Sequence, residues 1–367
     1  GNSPVTVGNL NHGDTVYARL TDGTNAGNSA SITILDKKAP TVSIGTGAIT
    51  ENSIEVKVTA SSDGESGLAD TNTYKYYVNN ELKYTGTQTS YTIMGLSAGT
   101  SYTIKVEAYD KAGNVGTATI TANTEEESLP ESTSYVGYYA DVDGNGTVDG
   151  VIYVDLATDG GKSGEWEGGI GGEYTIPKVS DFKKYKVSKT GHSDDFGTKD
   201  VLTVANSSGN ERFYVMALDD IDGKQNGTRY CWYSAAYDGS GMVDWESATS
   251  TSFGSGKQNT KNMIAKWNNF EYGGQNWDSS PDVWGLSAVQ SKINESPAWY
   301  VPSREEWSAF GDKLDNRSDY ASKGLSYDYW TSSQHGVNRA WDLDFESSRV
   351  AGVKVNGGLY VRLGTTF

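Results

Sequence analysis

The chain has 367 residues, 36% hydrophobic and 21% charged, with 44 Gly and 7 Pro. This length predicts two or three domains, and the composition excludes both a disordered tail and a collagen-like fibre. The formal net charge of −17 argues against binding to nucleic acid or to anionic lipid. No apolar run is long enough to predict insertion into a membrane. A single cysteine, Cys231, excludes an internal disulfide and a multi-cysteine zinc site.

An internal repeat organises the first 124 residues. Residues 10–13 (LNHG) align with 96–99 (LSAG) at an offset of 86, and at the same offset 26–28 and 112–114 both read AGN. A period of this length is about that of one immunoglobulin-type sandwich. We therefore expect a complete sandwich in residues 39–124 and the C-terminal half of an earlier one in residues 1–38. The chain is then part of a longer array.

Alternating apolar residues predict the strands of the complete sandwich. The predicted strands are 41–44, 53–60, 74–78, 90–93, 102–109 and 117–122. The segment 96–102 (LSAGTSY) resembles the corner that precedes strand F in fibronectin type III and bacterial Ig-like domains. The resemblance implies that the Tyr102 hydroxyl bonds back to the backbone, and that this region is a stalk.

A change in composition separates a second region from the sandwiches. All ten tryptophans lie from Trp166 onward, and the acidic stretch 125–131 (EEESLPE) precedes that region. We interpret residues 125–134 as a solvated linker and expect the function to lie in residues 135–367.

The second region opens with an acidic loop, 141–149 (DVDGNGTVD). Oxygen-bearing side chains at positions 1, 3, 5 and 9, with Gly146 at position 6, match most of a calcium-binding loop. Ile152 occupies position 12, where a bidentate Glu is usual, and the flanks are predicted strands rather than helices. The alternative is a polar hairpin turn. The predicted ligands of a structural Ca²⁺, which is the only cofactor expected, are Asp141, Asp143, Asn145, Thr147 and Asp149.

Three helices are predicted among short strands. Residues 260–267 and 282–293 each carry apolar side chains on one face, and a third helix follows Ser303, whose capping box Glu306 completes. Two later runs alternate and predict strands. In 341–345 the apolar residues alternate with Asp342 and Asp344, so one face is expected to be buried and the other acidic, and the second run is 359–363. Together these elements predict a compact α+β domain.

Four motifs in this region occur in a fixed order. They are 299–307 (WYVPSREEW), 329–333 (YWTSS), 340–345 (AWDLDF) and 360–363 (YVRL). In this order they resemble the C-type-lectin-fold branch related to formylglycine-generating enzymes, and more narrowly the variable proteins of diversity-generating retroelements. The resemblance implies Ig-like sandwiches followed by a C-type-lectin-like ligand-binding domain over residues 135–367. In that family, a reverse transcriptase copies a template with errors at adenines, so that Asn codons of the target gene become many residue types.

The resemblance also implies a set of variable-type positions between buried framework residues such as Trp330 and Trp341. Most residue types in the set arise from an Asn codon by changes at adenines, whereas Gln334, Glu346 and Lys354 require another codon. The implied ligand-binding positions are Tyr327, Asp328, Gln334, His335, Asn338, Arg339, Asp342, Asp344, Glu346, Ser347, Arg349, Gly352, Lys354, Asn356, Gly358 and Leu359.

We expect these positions to form one binding surface over residues 327–359. Tyr327 is its expected aromatic anchor, and Arg339, Asp342, Asp344 and Arg349 are its expected polar contacts. The alternative is that the segment consists only of two exposed strands and a polar loop.

The chain is not expected to be an enzyme. Cys231 cannot form the cysteine pair that formylglycine generation needs, and His12, His192 and His335 lie in no recognisable catalytic arrangement. The acidic segment 219–222 is expected to be a solvated loop.

The sequence thus favours a surface-displayed adhesin or receptor-binding protein. We expect it outside a bacterial cell, at its surface or in a phage tail, with a protein ligand favoured over a glycan. The tripeptides with which calcium-dependent lectins bind sugars are missing from the sequence. A structural pilus-like or phage tail subunit remains the alternative, followed by a carbohydrate-active enzyme with a carboxylate pair.

Overall fold

The computed structural model describes residues 5–22, 24–166, 171–232, 248–268, 285–317, 319–336, 339–354 and 357–367, and every structural statement below concerns these residues. The chain divides into two compact units, Gly1–Glu127 and Ser128–Phe367. Their boundary lies in the acidic stretch where the composition changes.

The first unit is built from strands. Its strands are β1 (Thr15–Thr21), β2 (Ala26–Thr33), β3 (Thr41–Ile49), β4 (Ser53–Ser62), β5 (Tyr74–Val78), β6 (Glu81–Gly86), β7 (Ser90–Met94), β8 (Ser101–Tyr109) and β9 (Val115–Asn123). A sheet of order β3-β4-β7 packs against a sheet of order β6-β5-β8-β9. Ile54, Val56, Tyr76, Ile104 and Val106 are fully buried between the sheets. The predicted strands of the complete sandwich are all confirmed.

Strand β6 was not predicted from the sequence. It is an edge strand with mostly exposed or half-buried side chains, so its residues show no apolar alternation. A turn signal precedes it, because Asn79 and Asn80 both adopt positive φ, 47° and 68°. Two such residues between paired strands form a tight hairpin turn, and the Asn-Asn pair could have indicated it.

The corner before β8 has the predicted hydrogen bond. The Ser97 backbone N–H donates to the Tyr102 hydroxyl over 2.8 Å. This bond ties the inter-sheet connection to the strand that follows, so the structural role implied for Tyr102 is confirmed.

Strands β1 and β2 form an antiparallel hairpin in the first 38 residues. β1 begins at Thr15 and β8 at Ser101, which reproduces the spacing of the sequence repeat. Tyr17, Leu20 and Ile32 are 71%, 86% and 66% exposed. In the described part of the chain, no second sheet covers these side chains.

The second unit mixes strands and helices. Its strands are β10 (Tyr139–Ala140), β11 (Gly150–Asp155), β12 (Ser163–Glu165), β13 (Glu173–Thr175), β14 (Lys184–Asp194), β15 (Gly197–Asn206), β16 (Phe213–Asp220), β17 (Asp328–Gln334), β18 (Arg339–Asp344), β19 (Arg349–Lys354) and β20 (Arg362–Thr366). Its helices are α1 (Leu156–Asp159), α2 (Gly256–Trp267), α3 (Gly285–Glu295) and α4 (Arg304–Lys313). The sheets have the orders β14-β15-β10-β11-β16-β20, β17-β18-β19 and β12-β13. None of the described helices is long and apolar enough to cross a lipid bilayer.

The starts of α2 and α4 depend on one buried carboxylate, that of Glu306. α4 begins after Ser303, and the predicted capping box with Glu306 is present. α2 begins at Gly256, earlier than the predicted residue 260, and the Gly256 N–H donates to Glu306 Oε2 over 3.1 Å. The sequence near α2 has no matching signal, because its first donor is satisfied from another helix. α3 overlaps the predicted range 282–293, whose first three residues lie outside the described residues.

The prediction of a solvated linker as far as residue 134 is wrong. Arg212 is 1% exposed and donates from its guanidinium to the carbonyls of Pro130 and Thr133, over 3.1 and 3.0 Å. The Leu129 N–H also donates to the Tyr185 carbonyl, over 3.1 Å. These residues pack on the second unit because the buried guanidinium needs more acceptors than Asp155, its ion-pair partner, provides.

The prediction of a solvated acidic loop at 219–222 is wrong for Asp220. Its carboxylate is 4% exposed and accepts hydrogen bonds from Arg362 Nε over 2.8 Å and from the Tyr329 hydroxyl over 2.7 Å. The ion-pair partner lies 142 residues further along the chain, so the local sequence gives no sign of it.

The β17-β18-β19 sheet is covered on both faces. Tyr329, Leu343 and Val350 are paired across the strands and belong to one buried cluster. Trp330 and Ala340 belong to a second cluster on the opposite face. All residues of β17 are buried. The sheet is therefore an interior layer, and only parts of β18 and β19 reach the surface.

Candidate ligand-binding surface

The four sequence motifs are joined by backbone hydrogen bonds. The Trp330 N–H donates to Tyr360 over 3.0 Å and the Ser332 N–H donates to Pro302 over 2.9 Å, while antiparallel strand pairing joins Tyr329 to Leu343 of the third motif. The motifs therefore form a connected frame that holds the segments between them.

The predicted surface 327–359 divides between two faces of the sheet. In β18 and β19, Trp341 pairs with Gly352 and Asp344 pairs with Arg349, without a bulge. Side chains alternate along a strand, so Arg339 and Trp341 lie on one face, while Asp342 and Asp344 lie on the other. The polar contacts expected together are thus separated into two groups.

The first group is an aromatic patch, defined here as His335, Arg339 and Trp341. The His335 and Trp341 rings meet edge to face, with centroids 4.2 Å apart. His335 and Arg339 are exposed, and Trp341, expected to be buried framework, is only half-buried. Arg339 Nη1 donates to the Gly352 carbonyl over 2.6 Å.

Two features hold the aromatic patch in place. The Arg304 guanidinium lies over the Trp341 ring, 5.6 Å from its centroid. A Cβ atom on Gly352 would lie 2.6 Å from His335 Nδ1. The imidazole therefore lies across the strand only because residue 352 has no side chain.

The second group is charged and lies on the opposite face. Asp328, Asp344 and Arg349 are in register across the three strands. Arg349 Nε lies 3.3 Å from Asp344 Oδ2, and Arg229 Nη2 lies 3.0 Å from Asp328 Oδ2. Burial raises the pKa of Asp328 to about 6, although the Arg229 charge opposes this shift.

Asp342 is not a surface contact, contrary to the sequence prediction. It is 1% exposed and is paired in register with Trp330 and Ala351. Burial raises its pKa to about 7, with Arg349 opposing and Asp344 adding to the shift. The prediction failed because the buried cluster that contains Trp330 and Ala340 packs on the face of β18 that the alternating pattern assigned to solvent.

Three further predicted contact residues are also buried. Asp328, Gln334 and Leu359 are 8%, 5% and 4% exposed, and Leu359 exchanges two backbone hydrogen bonds with Tyr230. Their side chains contribute to the interior of the second unit, so they do not form part of an exposed contact surface.

The remaining predicted residues lie at the surface or beside it. Tyr327 is half-buried, with its ring edge to face against Tyr360 at 5.3 Å, and Gly358 is half-buried too. Glu346, Ser347 and Arg349 are exposed around the turn after β18, and Asp344 Oδ1 accepts the Ser347 N–H over 2.9 Å. Lys354 ends β19. Asn338 and Asn356 lie outside the described residues.

The acidic loop 141–149 joins β10 to β11, so its flanks are strands, as predicted. Ligand-type oxygens of Asp141, Asp143 and Asp149 lie within 4.8 Å of one another. Burial raises the pKa of Asp149, and the neighbouring carboxylates Asp143 and Asp141 add to the shift. The arrangement concentrates negative charge in one tight turn.

A cleft of about 240 Å³ between α2 and α3 was not predicted. Ile264 and Ile293, assigned from the sequence to the apolar helix faces, line it together with Trp299. Lys257 and Lys261 line it as well. Helix periodicity marks an apolar face but does not say whether another element fills the space in front of it.

Residues 38–124 match the fibronectin type III domain. Exoglucanase A of Cellulomonas fimi is 34% identical over 112 residues, which are 29% of this chain and 12% of that enzyme, so the chain spans a small part of this relative. The PKD1 domain of Vibrio anguillarum Epp is 19% identical with a TM-score of 0.21, over 25% of this chain and 100% of that one. The fibronectin type III domain of human fibronectin type III domain containing protein 3 is 20% identical with a TM-score of 0.22, over 26% of this chain and 92% of that one.

The complete sandwich of the first unit is therefore a fibronectin type III domain. Such domains are common in extracellular and cell-surface proteins.

Proposed function

We propose that this protein binds a ligand outside the cell, as an adhesin or receptor-binding protein, with the aromatic patch as the centre of its contact surface. The first unit serves as the stalk and the second unit presents the patch. The observation that carries the proposal is that exposed His335 and Arg339 flank a half-exposed Trp341 on a buried frame.

The chemistry of the patch favours a protein ligand. Trp and Arg are the residues most enriched among the contacts that dominate protein–protein binding, and rigid support reduces the entropy lost on binding. Arg339 and Trp341 belong to a strand within a three-stranded sheet, and His335 packs on Trp341. The patch is thus organised before a ligand arrives.

The turn after β18 supplies a second set of contacts in this proposal. Glu346, Ser347 and Arg349 are exposed there, and the Asp344–Arg349 pair fixes the turn. Arg349 lies on the face opposite the patch, so the turn offers contacts at another side of the sheet.

We also infer that the second unit is a C-type-lectin-like domain whose exposed positions are diversified by a retroelement. The four motifs and the α+β architecture support the fold. The exposed residues His335, Arg339, Ser347 and Arg349 are types that an Asn codon yields by changes at adenines. Sequencing the DNA beside the gene tests this inference: a near-copy of codons 325–363 that differs at adenines supports it, and flanks without such a copy would refute it.

The binding proposal is tested by probing arrays of purified bacterial and host surface proteins, and of glycans, with the full chain. We expect protein ligands, and Arg339→Ala or His335→Ala should reduce their signals at least tenfold, because truncating a central contact typically costs about 2 kcal/mol or more and about 1.4 kcal/mol is a factor of ten.

Lys189→Ala is the matched control, because Lys189 is exposed on β14 and the substitution removes the same charge as Arg339→Ala. Equal signals from the wild-type chain and both patch variants would place the contact surface elsewhere. A glycan-only response would overturn the choice of a protein ligand.

A further inference from the structure

We propose that the loop 141–149 binds one Ca²⁺ ion, a site separate from the ligand-binding surface and independent of that proposal. Oxygens of Asp141, Asp143 and Asp149 converge within 4.8 Å. At such distances like charges repel by about 1 kcal/mol in water and by several times more where solvent is excluded. The loop therefore brings together three carboxylates that favour a shared cation.

The orientation of Asp141 points to the ion. Its side chain is 2% exposed, and Oδ2 accepts the Gly146 N–H over 2.9 Å. Oδ1 is buried and accepts no hydrogen bond from any of the described residues. Leaving a buried carboxylate oxygen without a partner is costly, so a buried oxygen of this kind in an acidic cluster is suited to ligating a cation.

Basic side chains of the described residues do not neutralise the three carboxylates. Throughout the described ranges, no Lys or Arg forms an ion pair with Asp141, Asp143 or Asp149. Within the described residues, the negative charge of these carboxylates is therefore not balanced by an ion pair.

The loop conformation is fixed by the sheet on either side. The Asp141 N–H donates to the Leu202 carbonyl and the Asp149 N–H to the Ala140 carbonyl, both over 2.9 Å. Gly146 adopts φ 90°, which other residues rarely tolerate, and so permits the sharp turn. The first and last carboxylates are therefore held by neighbouring strands before any ion binds.

The donor set fits calcium. Three carboxylates converge, those of Asp141, Asp143 and Asp149, and the calcium-loop pattern adds the Asn145 side chain and the Thr147 backbone carbonyl at positions 5 and 7, all of them oxygen donors. Calcium takes six to eight oxygen ligands and accepts water among them, whereas zinc and copper favour nitrogen and sulfur. Ile152 is buried in β11, so the last turn of a helical calcium loop is replaced here by a strand.

A second acidic cluster in the first unit provides the comparison. Asp36, Asp63 and Asp110 also place oxygens within 4.8 Å of one another. Both oxygens of the buried member Asp110 accept hydrogen bonds from Asn114, over 2.7 and 2.8 Å. This cluster satisfies its buried carboxylate without an ion, and it supplies the control.

The test is calorimetric titration of the calcium-free full chain with CaCl₂, together with its melting temperature with and without the salt. We expect one binding site in the second unit and a rise in melting temperature of about 5–10 °C at a hundredfold excess over the dissociation constant. Asp141→Asn and the exposed Asp143→Asn should abolish both effects. Asp143→Asn keeps the test valid should Asp141→Asn fail to fold, because Asp143 is exposed.

The control variant Asp36→Asn should leave both effects unchanged. Absence of heat and of any melting shift at about 10 mM CaCl₂, well above the dissociation constants of weak calcium loops, would overturn the proposal. Loss of binding in Asp36→Asn, with binding intact in Asp143→Asn, would assign the ion to the first unit and overturn it as well.

Discussion

At the scale of single residues, Asp342 is an acid held against an apolar core. Its carboxyl group is 1% exposed, and its pKa of about 7 means that burial disfavours the charged form near neutral pH. The alternation of β18 predicted the strand but placed Asp342 in solvent. A two-residue period shows that the two faces of a strand differ in polarity. It does not show which residues of other strands, such as Trp330, pack over each face.

We expect Asp342→Asn to change the pH dependence of stability. The unfolded pKa is near the ordinary 3.8 and the native pKa is about 7, so between these values the native state retains a proton that the unfolded state has released. The free energy of unfolding of the wild type therefore falls as pH rises from about 4 to 7, and the loss is complete above that range. The variant should be more stable by roughly 2–4 kcal/mol near pH 8 and nearly equal near pH 4.

Urea denaturation across this pH range measures the difference. The exposed substitution Glu131→Gln should reproduce the wild-type profile. Parallel curves for wild type and Asp342→Asn at all pH values would mean that the carboxyl group is solvated.

At the scale of elements, Glu306 links the first turns of two helices. Its Oε2 accepts the Ser303 N–H over 2.6 Å and the Gly256 N–H over 3.1 Å, while the Tyr300 hydroxyl donates to Oε1 over 3.2 Å. The capping box of α4 was predictable because its partners are three residues apart. The start of α2 was not, since its acceptor lies 50 residues away.

Glu306→Ala should lower the free energy of unfolding by about 3–5 kcal/mol, because it leaves three buried donors without an acceptor. Ser303→Ala removes only the side-chain part of the cap and should cost about 0.5–2 kcal/mol. Chemical denaturation followed by circular dichroism measures both. Similar losses in the two variants would show that the contact with α2 contributes no stability.

At the scale of the whole molecule, local sequence patterns predicted the two units but not the long-range contacts that complete them. The repeat and the apolar alternation predicted the strands of residues 39–124, and the tryptophan distribution predicted a second domain. The contacts of Arg212 with residues 129–133, and of Asp220 with Arg362, join segments about 80 and 140 residues apart, which no short window reveals. The predicted surface 327–359 combined exposed positions with buried ones such as Asp342, because the division between the two faces of the sheet depends on tertiary packing.

The hydrogen bonds between residues 129–133 and Arg212 predict where a stable fragment of the second unit must begin. A fragment 135–367 lacks the Leu129, Pro130 and Thr133 carbonyls that accept from Arg212, so it should be about 1–3 kcal/mol less stable than a fragment 128–367. Thermal and urea denaturation of both fragments checks this. Extending the fragment to 125–367 should add nothing, and equal stability of all three would make the segment dispensable.

The contact between His335 and Gly352 bears on how this surface can change over generations. Any side chain at position 352 would displace the imidazole, because its Cβ would lie 2.6 Å from His335 Nδ1. A flat aromatic ring at 335 is therefore compatible with glycine at 352 but not with a bulky residue there. Substitutions at positions 335 and 352 are therefore coupled. The number of residue pairs that the two positions can accommodate is smaller than the product of the residue types allowed at each position alone. Related sequences should show this as covariation, with glycine at 352 wherever 335 is aromatic.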